Sequence, residues 1–420
     1  MIHLKPIPEL LAPAGDMEAF CAALAFGADA IYLAETSYGM RSAPKNFTFP
    51  QIVQAVTAAH EKGKKVYLVC NILPTNEEAE RLPQWLAQAN ETGADGLIIA
   101  DLGVLKMAEK YAPSLPRHIS TQMGVTNFAA ATALYEMGAS RVVLARELSL
   151  EQIRALRQKV PAELELEVFC HGAMCVSFSG RCLLSAYLTG RDANRGACAQ
   201  PCRWGYRVGQ ITPLNLKEDA PPAHPFSLEE GEDGSFLLNS YDLRTIEYLD
   251  QLRDAGVASL KIEGRAKSVS YTASVTAAYR AALDALRDAP DGEYQCPQWA
   301  LEETEQVSHR PYGTGFLFGE PAQNTEYGGY IRGSNILAVV EKWENGRAEC
   351  VMKNRLGEGT AVEVLVPGAP PFPLTVTGLT DSEGQPRQEI ILPMEHFFID
   401  APRPLPPGSI LRQLRQLRWM

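Results

Sequence analysis

Gly27-Ala-Asp-Ala-Ile-Tyr-Leu33 and Gly93-Ala-Asp-Gly-Leu-Ile-Ile99 are two copies of one short pattern, in which a glycine precedes a strand-like apolar run. The pattern returns as Gly138-Ala-Ser-Arg-Val-Val-Leu144 and Gly256-Val-Ala-Ser-Leu-Lys-Ile262. Each glycine follows a helical stretch and suits the left-handed residue that ends a helix. Each apolar run is typical of a parallel strand that is buried on both faces. The repeating unit is therefore a helix followed by a buried strand.

Working outward from these copies gives eight predicted strands. They lie near 8–13, 30–34, 65–71, 96–101, 117–122, 141–147, 164–171 and 259–264. Helical patterns separate them, for example at 16–26, 50–62, 78–92, 126–137 and 149–158. Eight strand–helix alternations predict an α/β fold, a TIM-like (β/α)8 barrel. A doubly wound open sheet is the alternative, but no glycine-rich dinucleotide loop follows the first strand.

The pattern divides the chain into three predicted parts. The barrel occupies residues 1–290 and contains a cysteine-rich insertion at 172–240. Residues 291–327 are predicted to be a linker. Residues 328–420 contain short β-like runs separated by glycine and proline, which predicts a small, barrel-like all-β C-terminal domain.

Composition limits the classes of function. The chain has 420 residues, of which 46% are hydrophobic, and a net charge of −11. It has no apolar run long enough to span a bilayer and no apolar signal core near Met1, so we expect a cytoplasmic protein that does not bind membranes. A general nucleic-acid coat protein would be basic. Any contact with nucleic acid must therefore use a local basic patch.

Polar side chains stand at the ends of the predicted strands, which in a barrel converge on one mouth. They are Glu35, Asn71, Asp101, Gln122, Glu147, His171, Glu263 and Arg265. Strand ends are often polar for no functional reason, but the whole set predicts a site. Glu35 and Arg265 are candidates for binding the substrate, and the others, Asp101 apart, are candidates for catalysis. His171 could be an acid or base, a metal ligand or a hydrogen-bonded core histidine.

Five of the nine cysteines fall within residues 170–202. In a reducing compartment, such clustering indicates metal ligands or catalytic groups rather than disulfides. Cys170 should point away from the others, because it alternates with His171 on a strand. An iron–sulfur cluster, Zn²⁺ and inert core cysteines all remain open for the other four, Cys175, Cys182, Cys198 and Cys202.

Arginines accompany the cysteines and reverse the charge locally. They are Arg181, Arg191, Arg195, Arg203 and Arg207. They could bind phosphate or a small dicarboxylate, or they could neutralise an anionic cluster. Arg191, Arg195 and Arg203, together with Arg41, are candidate anion-binding residues.

Several motifs resemble the U32 peptidase family, also called the collagenase-like proteases. They include Pro8-Glu-Leu-Leu-Ala-Pro-Ala-Gly15, His171-Gly-Ala-Met-Cys175, Ser179-Gly-Arg-Cys182, Cys198-Ala-Gln-Pro-Cys-Arg203 and Lys261-Ile-Glu-Gly-Arg265. Within that family the chain looks most like the tRNA hydroxylation proteins, which make 5-hydroxyuridine at the wobble position. The resemblance covers nearly the whole chain, including the small β domain.

The resemblance implies oxygen-independent hydroxylation of tRNA, with prephenate or a similar small carboxylate as the hydroxyl donor. It also implies an iron–sulfur cluster, expected to be [4Fe–4S], on Cys175, Cys182, Cys198 and Cys202. Some relatives take a fourth ligand near Leu243, where this chain has Arg244. Other relatives work as pairs of different chains, so a partner subunit of the same family is a further expectation.

Two other functions stay open. The family name suggests a peptidase, but the sequence has no G-x-S-x-G elbow and no H-E-x-x-H zinc motif. Cysteines that bind iron would also be unavailable as nucleophiles. The second alternative is a non-catalytic RNA- or protein-binding module in which the cluster is structural.

Overall fold

The computed structural model describes residues 6–40, 45–204, 238–289, 293–321, 323–324 and 329–415. The first nine strands are β1 (Glu9–Pro13), β2 (Ala30–Leu33), β3 (Lys65–Cys70), β4 (Gly96–Ile99), β5 (Arg117–Ile119), β6 (Ala139–Val143), β7 (Glu165–Gly172), β8 (Asp242–Arg244) and β9 (Ser259–Ile262). All except β8 form a closed ring of parallel neighbours, because β9 pairs with both β7 and β1. The predicted (β/α)8 barrel is confirmed, and the doubly wound open sheet is wrong.

Helices cover the barrel and follow its strands. They are α1 (Met17–Ala25), α2 (Phe49–His60), α3 (Asn76–Asn90), α4 (Leu102–Tyr111), α5 (Phe128–Glu136), α6 (Leu150–Arg157), α7 (Leu184–Thr189), α8 (Leu249–Asp254), α9 (Val269–Asp288) and α10 (Gln298–Thr304). Short polar side chains begin many of them; Asp16, for example, accepts a hydrogen bond from the backbone N–H of Ala19. Gly27, just after α1, has a φ of +94°, as the repeated pattern predicts. Within the described parts of the chain, no helix is both long enough and apolar enough to cross a membrane.

The barrel interior holds a network of charged side chains beside a small apolar cluster. The guanidinium of Arg141 contacts Glu9 at 2.7 Å and Glu167 at 3.1 Å. Lys261 Nζ lies 3.1 Å from the other oxygen of Glu167. Burial by itself would raise the pKa of Glu167, but the two cations lower it to about 2. The carboxylate is therefore ionised at neutral pH.

A neutral histidine shares this interior. Burial and the nearby charge of Arg141 lower the pKa of His118 to about 3. Unfolded histidine titrates near pH 6.5, so the unfolded state binds more protons below that pH and stability falls as the pH falls. We expect His118→Leu to make this dependence shallower between about pH 6 and pH 5, by about 1.4 kcal/mol per pH unit. Urea unfolding of both proteins across this range tests the prediction, and equal slopes would contradict it.

The region that we expected only to connect the two domains contributes to the barrel. It contains α10 and two short strands, β10 (Ser308–His309) and β11 (Tyr312–Gly313). Strand β11 pairs with β8, and β8 pairs antiparallel with the end of β7. Ala300 and Val307 are buried in the core of the barrel domain. This region therefore supports the carboxyl end of β7.

The C-terminal part is all β, as predicted. Its strands are β12 (Ile331–Arg332), β13 (Ser334–Glu344), β14 (Arg347–Met352), β15 (Leu356–Gly357), β16 (Ala361–Leu365), β17 (Phe372–Thr375), β18 (Thr380–Asp381), β19 (Glu389–Ile390), β20 (His396–Asp400) and β21 (Ile410–Leu414). Seven of them form one sheet in the order β17-β16-β21-β13-β14-β20-β18, a half-barrel around its own apolar core.

A mixed apolar and ionic interface joins this half-barrel to the barrel. Phe26 and Ala277 pack against Leu365 and Ile410. Beside them, the buried guanidinium of Arg412 donates to Glu303 of α10 at 2.7 Å and to Glu363 at 2.9 Å.

Candidate active site

A cavity of about 330 Å³ lies at the carboxyl ends of the barrel strands. Its floor is formed by side chains that point inward from six strands, namely Tyr32, Val69, Ile98, Val143, Phe169 and Lys261. Its rim is formed by residues that follow the strands, namely Asn71, Gln122, Arg146, Glu263 and Arg265. Residues 173–204, which we call the cysteine loop, form its remaining wall. The cavity therefore stands where barrel enzymes hold their active sites.

The cysteine loop brings four thiols to the cavity. Cys175, Cys182, Cys198 and Cys202 are all half-buried and all line it. The sulfur atoms of three of them accept a backbone N–H from the residue two positions later: Ser177 to Cys175 at 3.4 Å, Leu184 to Cys182 and Gln200 to Cys198 at 3.3 Å. Backbone N–H groups directed at sulfur stabilise thiolates bound to iron. The donor set and its hydrogen bonds thus fit an iron–sulfur cluster.

Side chains from the barrel fix the path of the cysteine loop. Glu147 accepts hydrogen bonds from the backbone N–H of Ser179 at 2.6 Å and from its hydroxyl at 3.1 Å. Ser179 has a φ of +47°, which is unfavourable for a residue other than glycine, and these two bonds hold it there. On the other side of the loop, Asn194 pairs with the backbone of Cys182 through two hydrogen bonds.

A buried arginine anchors the start of the same loop. Arg310 donates to the backbone carbonyl of Met174 at 3.0 Å, next to the first thiol. It also donates to Asp242 at 2.8 Å and to Asn239 at 3.1 Å, and it is 1% exposed. Burial lowers the pKa of Arg310, and the adjacent Asp242 opposes that effect. The ion pair therefore connects β8 to the cysteine loop.

The cavity is strongly basic although the chain is acidic. Five basic side chains line it, Arg146, Arg203, Lys261, Arg265 and Lys267, against one carboxylate, Glu263. Arg203 hydrogen-bonds to the Tyr330 hydroxyl, and Lys267 lies over the Tyr330 ring at 4.8 Å. Such a lining is suited to an anionic ligand that has apolar or aromatic parts.

The site residues predicted from the sequence fall into two groups, those that line the cavity and those that do not. Nine of them line the cavity: Asn71, Gln122, Glu263, Arg265, Arg203 and the four cysteines. Five do not: Glu35, Glu147, His171, Arg191 and Arg195. Arg41 lies outside the described residues.

His171 lies on the outer side of the barrel wall and does not line the cavity, where the sequence analysis expected it. The pairing of β7 with β9 shifts register between Phe169 and His171. This irregularity directs the imidazole toward Tyr271 and Tyr279 of α9, with ring centroids 6.0 and 5.5 Å away. Burial lowers the pKa of His171 well below its usual value, so the ring is neutral. Its position indicates a structural role.

Cys170 stands apart from the other cysteines, as predicted, but for a different reason. Its thiol is buried in the barrel core and donates to the carbonyl of Lys261. Because of the same irregularity in β7, it does not alternate with His171 across the barrel wall, and neither residue lines the cavity.

The other polar residues outside the cavity serve local structure. Glu35 accepts hydrogen bonds from Trp85 Nε1 at 3.0 Å and from the N–H of Ser37 at 2.8 Å. Arg195 forms an ion pair with Glu78. Arg191, like Arg195, is exposed, and its Nε donates to the carbonyl of Ala197 at 2.9 Å. The last of the polar strand ends, Asp101, caps α4 by accepting from the N–H of Val104.

Several residues of the cavity were not singled out by the sequence pattern. Lys261, Phe169 and Tyr32 lie within strands rather than at their ends. The charge of Lys261 in the middle of the apolar run Ser259–Ile262 was the available signal, because a lysine buried in a parallel strand needs a specific partner. Arg146 and Lys267, which follow strands, carried no such signal.

Comparison with known proteins covers both domains. Residues 15–327 match Peptidase family U32, and residues 332–412 match the Peptidase family U32 C-terminal domain. The tRNA hydroxylation protein P1 of Bacillus subtilis (strain 168) is 33% identical over 418 residues, which are 97% of this chain and 94% of that protein. The tRNA hydroxylation protein P of Escherichia coli (strain K12) is 36% identical over 396 residues, or 86% of each chain. The 23S rRNA 5-hydroxycytidine C2501 synthase of the same organism is 38% identical over 307 residues, 72% of this chain and 44% of that protein.

Proposed function

This chain belongs to peptidase family U32, and we propose that it hydroxylates RNA, converting the wobble uridine of tRNA to 5-hydroxyuridine. We further propose a [4Fe–4S] cluster as the cofactor and prephenate as the hydroxyl donor. The names of the relatives that match most of the chain support RNA hydroxylation. The observation that carries the proposal is a basic cavity walled by four thiols at the carboxyl ends of the barrel strands.

In this proposal the four cysteines of the loop hold the cluster. When bound, it supplies iron that can polarise a hydroxyl group or transfer electrons. The basic rim binds anionic groups, and the aromatic floor excludes water from them. Gln122 is suited to the base, because this residue lines the cavity and its buried Oε1 accepts no hydrogen bond from the described residues. The N3–H of uracil can donate a hydrogen bond to this oxygen.

The spacing of the thiols favours a cluster over zinc. Four sulfurs at the Zn–S bond length of about 2.3 Å stand about 3.8 Å apart. Among the described residues, no three of the cysteine sulfurs lie within 4.8 Å of one another. An iron–sulfur cluster, which places metal and sulfide atoms between its ligands, accommodates the wider spacing.

The same geometry counts against the peptidase. A cysteine peptidase needs an imidazole in hydrogen-bonding reach of its thiol. His171, the imidazole nearest in sequence to Cys175, is buried among tyrosines outside the cavity. Within the described parts of the chain, no histidine lines the cavity beside the thiols.

Expression in an Escherichia coli strain that lacks its own tRNA hydroxylation protein P tests the proposed function. We expect the chain to raise 5-hydroxyuridine-derived nucleosides in tRNA above the level of the empty-vector strain, as measured by mass spectrometry. Glu263→Gln should lower that gain at least about tenfold, because it removes the carboxylate that lines the cavity. Glu109→Gln, on the exposed face of α4, is the matched control. No gain with the wild type would reject the activity.

A further inference from the structure

Lys261 differs from every other residue of the cavity floor. The other five floor residues are apolar or aromatic, whereas Lys261 brings an ammonium group into the barrel while remaining 4% exposed. Its Nζ lies 4.5 Å from the centre of the Tyr32 ring and 5.6 Å from that of Phe169. A cation in such a place strongly favours an anionic ligand, because little water competes for it.

An acidic side chain in the barrel interior, Glu167, holds the ammonium group of Lys261 in place. The ammonium group donates a hydrogen bond to Glu167 Oε1 at 3.1 Å, and the second oxygen of Glu167 accepts one from Arg141 at 3.1 Å. Arg141 in turn contacts Glu9 at 2.7 Å. Glu167 is thus shared between two cations, and an ammonium group has three donors. The Lys261 head group is fixed in position and retains donors for a ligand in the cavity.

The position of Lys261 allows a small molecule, but not the RNA backbone, to reach its ammonium group. The residue lies inside β9, whereas Gln122, Glu263 and Arg265 follow their strands and stand nearer the mouth. Phosphates of a folded RNA stay outside a cavity of this size, and only a base or a small ligand can enter it. A base at the rim can donate a hydrogen bond to Gln122 Oε1, which accepts none from the described residues. An ionised carboxylate has no hydrogen to donate. The two groups therefore suit two different ligands.

We propose that Lys261 binds a carboxylate of the small-molecule co-substrate at the floor of the barrel, below the site of the target base. This inference rests on the proposed function in that it assigns one part of the same cavity to the hydroxyl donor. Lys261 acts as a fixed cation, and the Glu167–Arg141 pair positions it. The carboxylate lies deeper in the cavity than the base, so the base closes the cavity above it.

Lys261→Met tests this assignment, since it removes the charge and keeps most of the side-chain volume. Lys64→Met is the control, because Lys64 also pairs with a carboxylate, Asp29 at 3.0 Å, but this more exposed pair lies just before β3, at the opposite end of the barrel. Prephenate affinity is measured by calorimetry on anaerobic protein, tRNA affinity by electrophoretic shift, and iron and sulfide by chemical analysis. We expect Lys261→Met to weaken prephenate binding at least about tenfold and tRNA binding less than about twofold, with iron and sulfide unchanged.

The outcomes separate this inference from the proposed function. Unchanged prephenate affinity, or a loss confined to tRNA affinity, would overturn the role of Lys261. If the wild type does not bind prephenate but binds pyruvate, malate or citrate through Lys261, prephenate is rejected as the hydroxyl donor and the carboxylate site stands. A wild type that binds none of these four would overturn the site as well. Should Lys261→Met not fold, Lys261→Met with Glu167→Gln removes both charges of the pair and allows the same titrations.

Discussion

Iron, inorganic sulfide and RNA hydroxylation are expected to disappear together when Cys175 is replaced by alanine. The thiol lines the cavity beside the other three cysteines of the loop, and its sulfur accepts the N–H of Ser177. Removing a hydrogen bond that supports a metal ligand already weakens metal binding about 10–100-fold. Removing the ligand itself should therefore weaken it more than about 100-fold. Anaerobic purification, iron and sulfide analysis and a visible absorption spectrum measure the effect.

Cys296→Ala is the control for this experiment. Its thiol is half-buried like that of Cys175, but it lies outside the cavity and contacts the carbonyl of Pro297. Cys296→Ala should keep wild-type iron, sulfide and activity. Wild-type metal content in Cys175→Ala, or zinc in place of iron in the wild type, would reject the cluster.

The second large effect is expected on stability, from Arg310→Met. The substitution leaves the carboxylate of Asp242 buried without its guanidinium partner, and that carboxylate is 2% exposed. Breaking a buried ion pair from one side costs about 3–5 kcal/mol of unfolding free energy. It also removes the hydrogen bond to the carbonyl of Met174, so we expect iron content to fall together with stability. Urea unfolding and iron analysis on the same preparations measure both.

Arg355→Met provides the comparison for that result. Arg355 also forms an ion pair, with Glu389 at 2.6 Å, but both side chains are largely exposed. Solvent screens such a pair, and its loss should change the unfolding free energy by less than about 1 kcal/mol. If Arg310→Met were as mild as Arg355→Met, the proposed role of Arg310 in anchoring the cysteine loop would be wrong.

The architecture could be predicted because its signals are local and repeated. Glycine followed by an apolar run marks a helix end and a buried strand wherever it occurs, and Gly27 has the left-handed φ that the pattern requires. The cysteine loop was also visible, because Cys175, Cys182 and Cys198 are crowded into the first part of the insertion at 172–240. Neither inference depends on knowing which side chains meet across the barrel.

The site was only partly predictable, because side-chain direction along a strand depends on a regular alternation. One register irregularity in β7 moves His171 from the cavity to the outer wall. Glu147 was expected at a strand end, but it lies four residues beyond the end of β6, where it bonds to Ser179 and supports the loop instead of facing the cavity. Polarity at a strand end therefore did not distinguish a site residue from a structural one.

By itself, the sequence determined the barrel, the all-β domain and the four clustered thiols, because each is encoded by neighbouring residues. Only the tertiary structure decided which charges face the cavity. Lys261 and Glu167 are 94 positions apart in the chain and 3.1 Å apart in the barrel. Such a pair forms only when β7 and β9 close the ring, since the partner that makes a buried lysine tolerable comes from a distant strand.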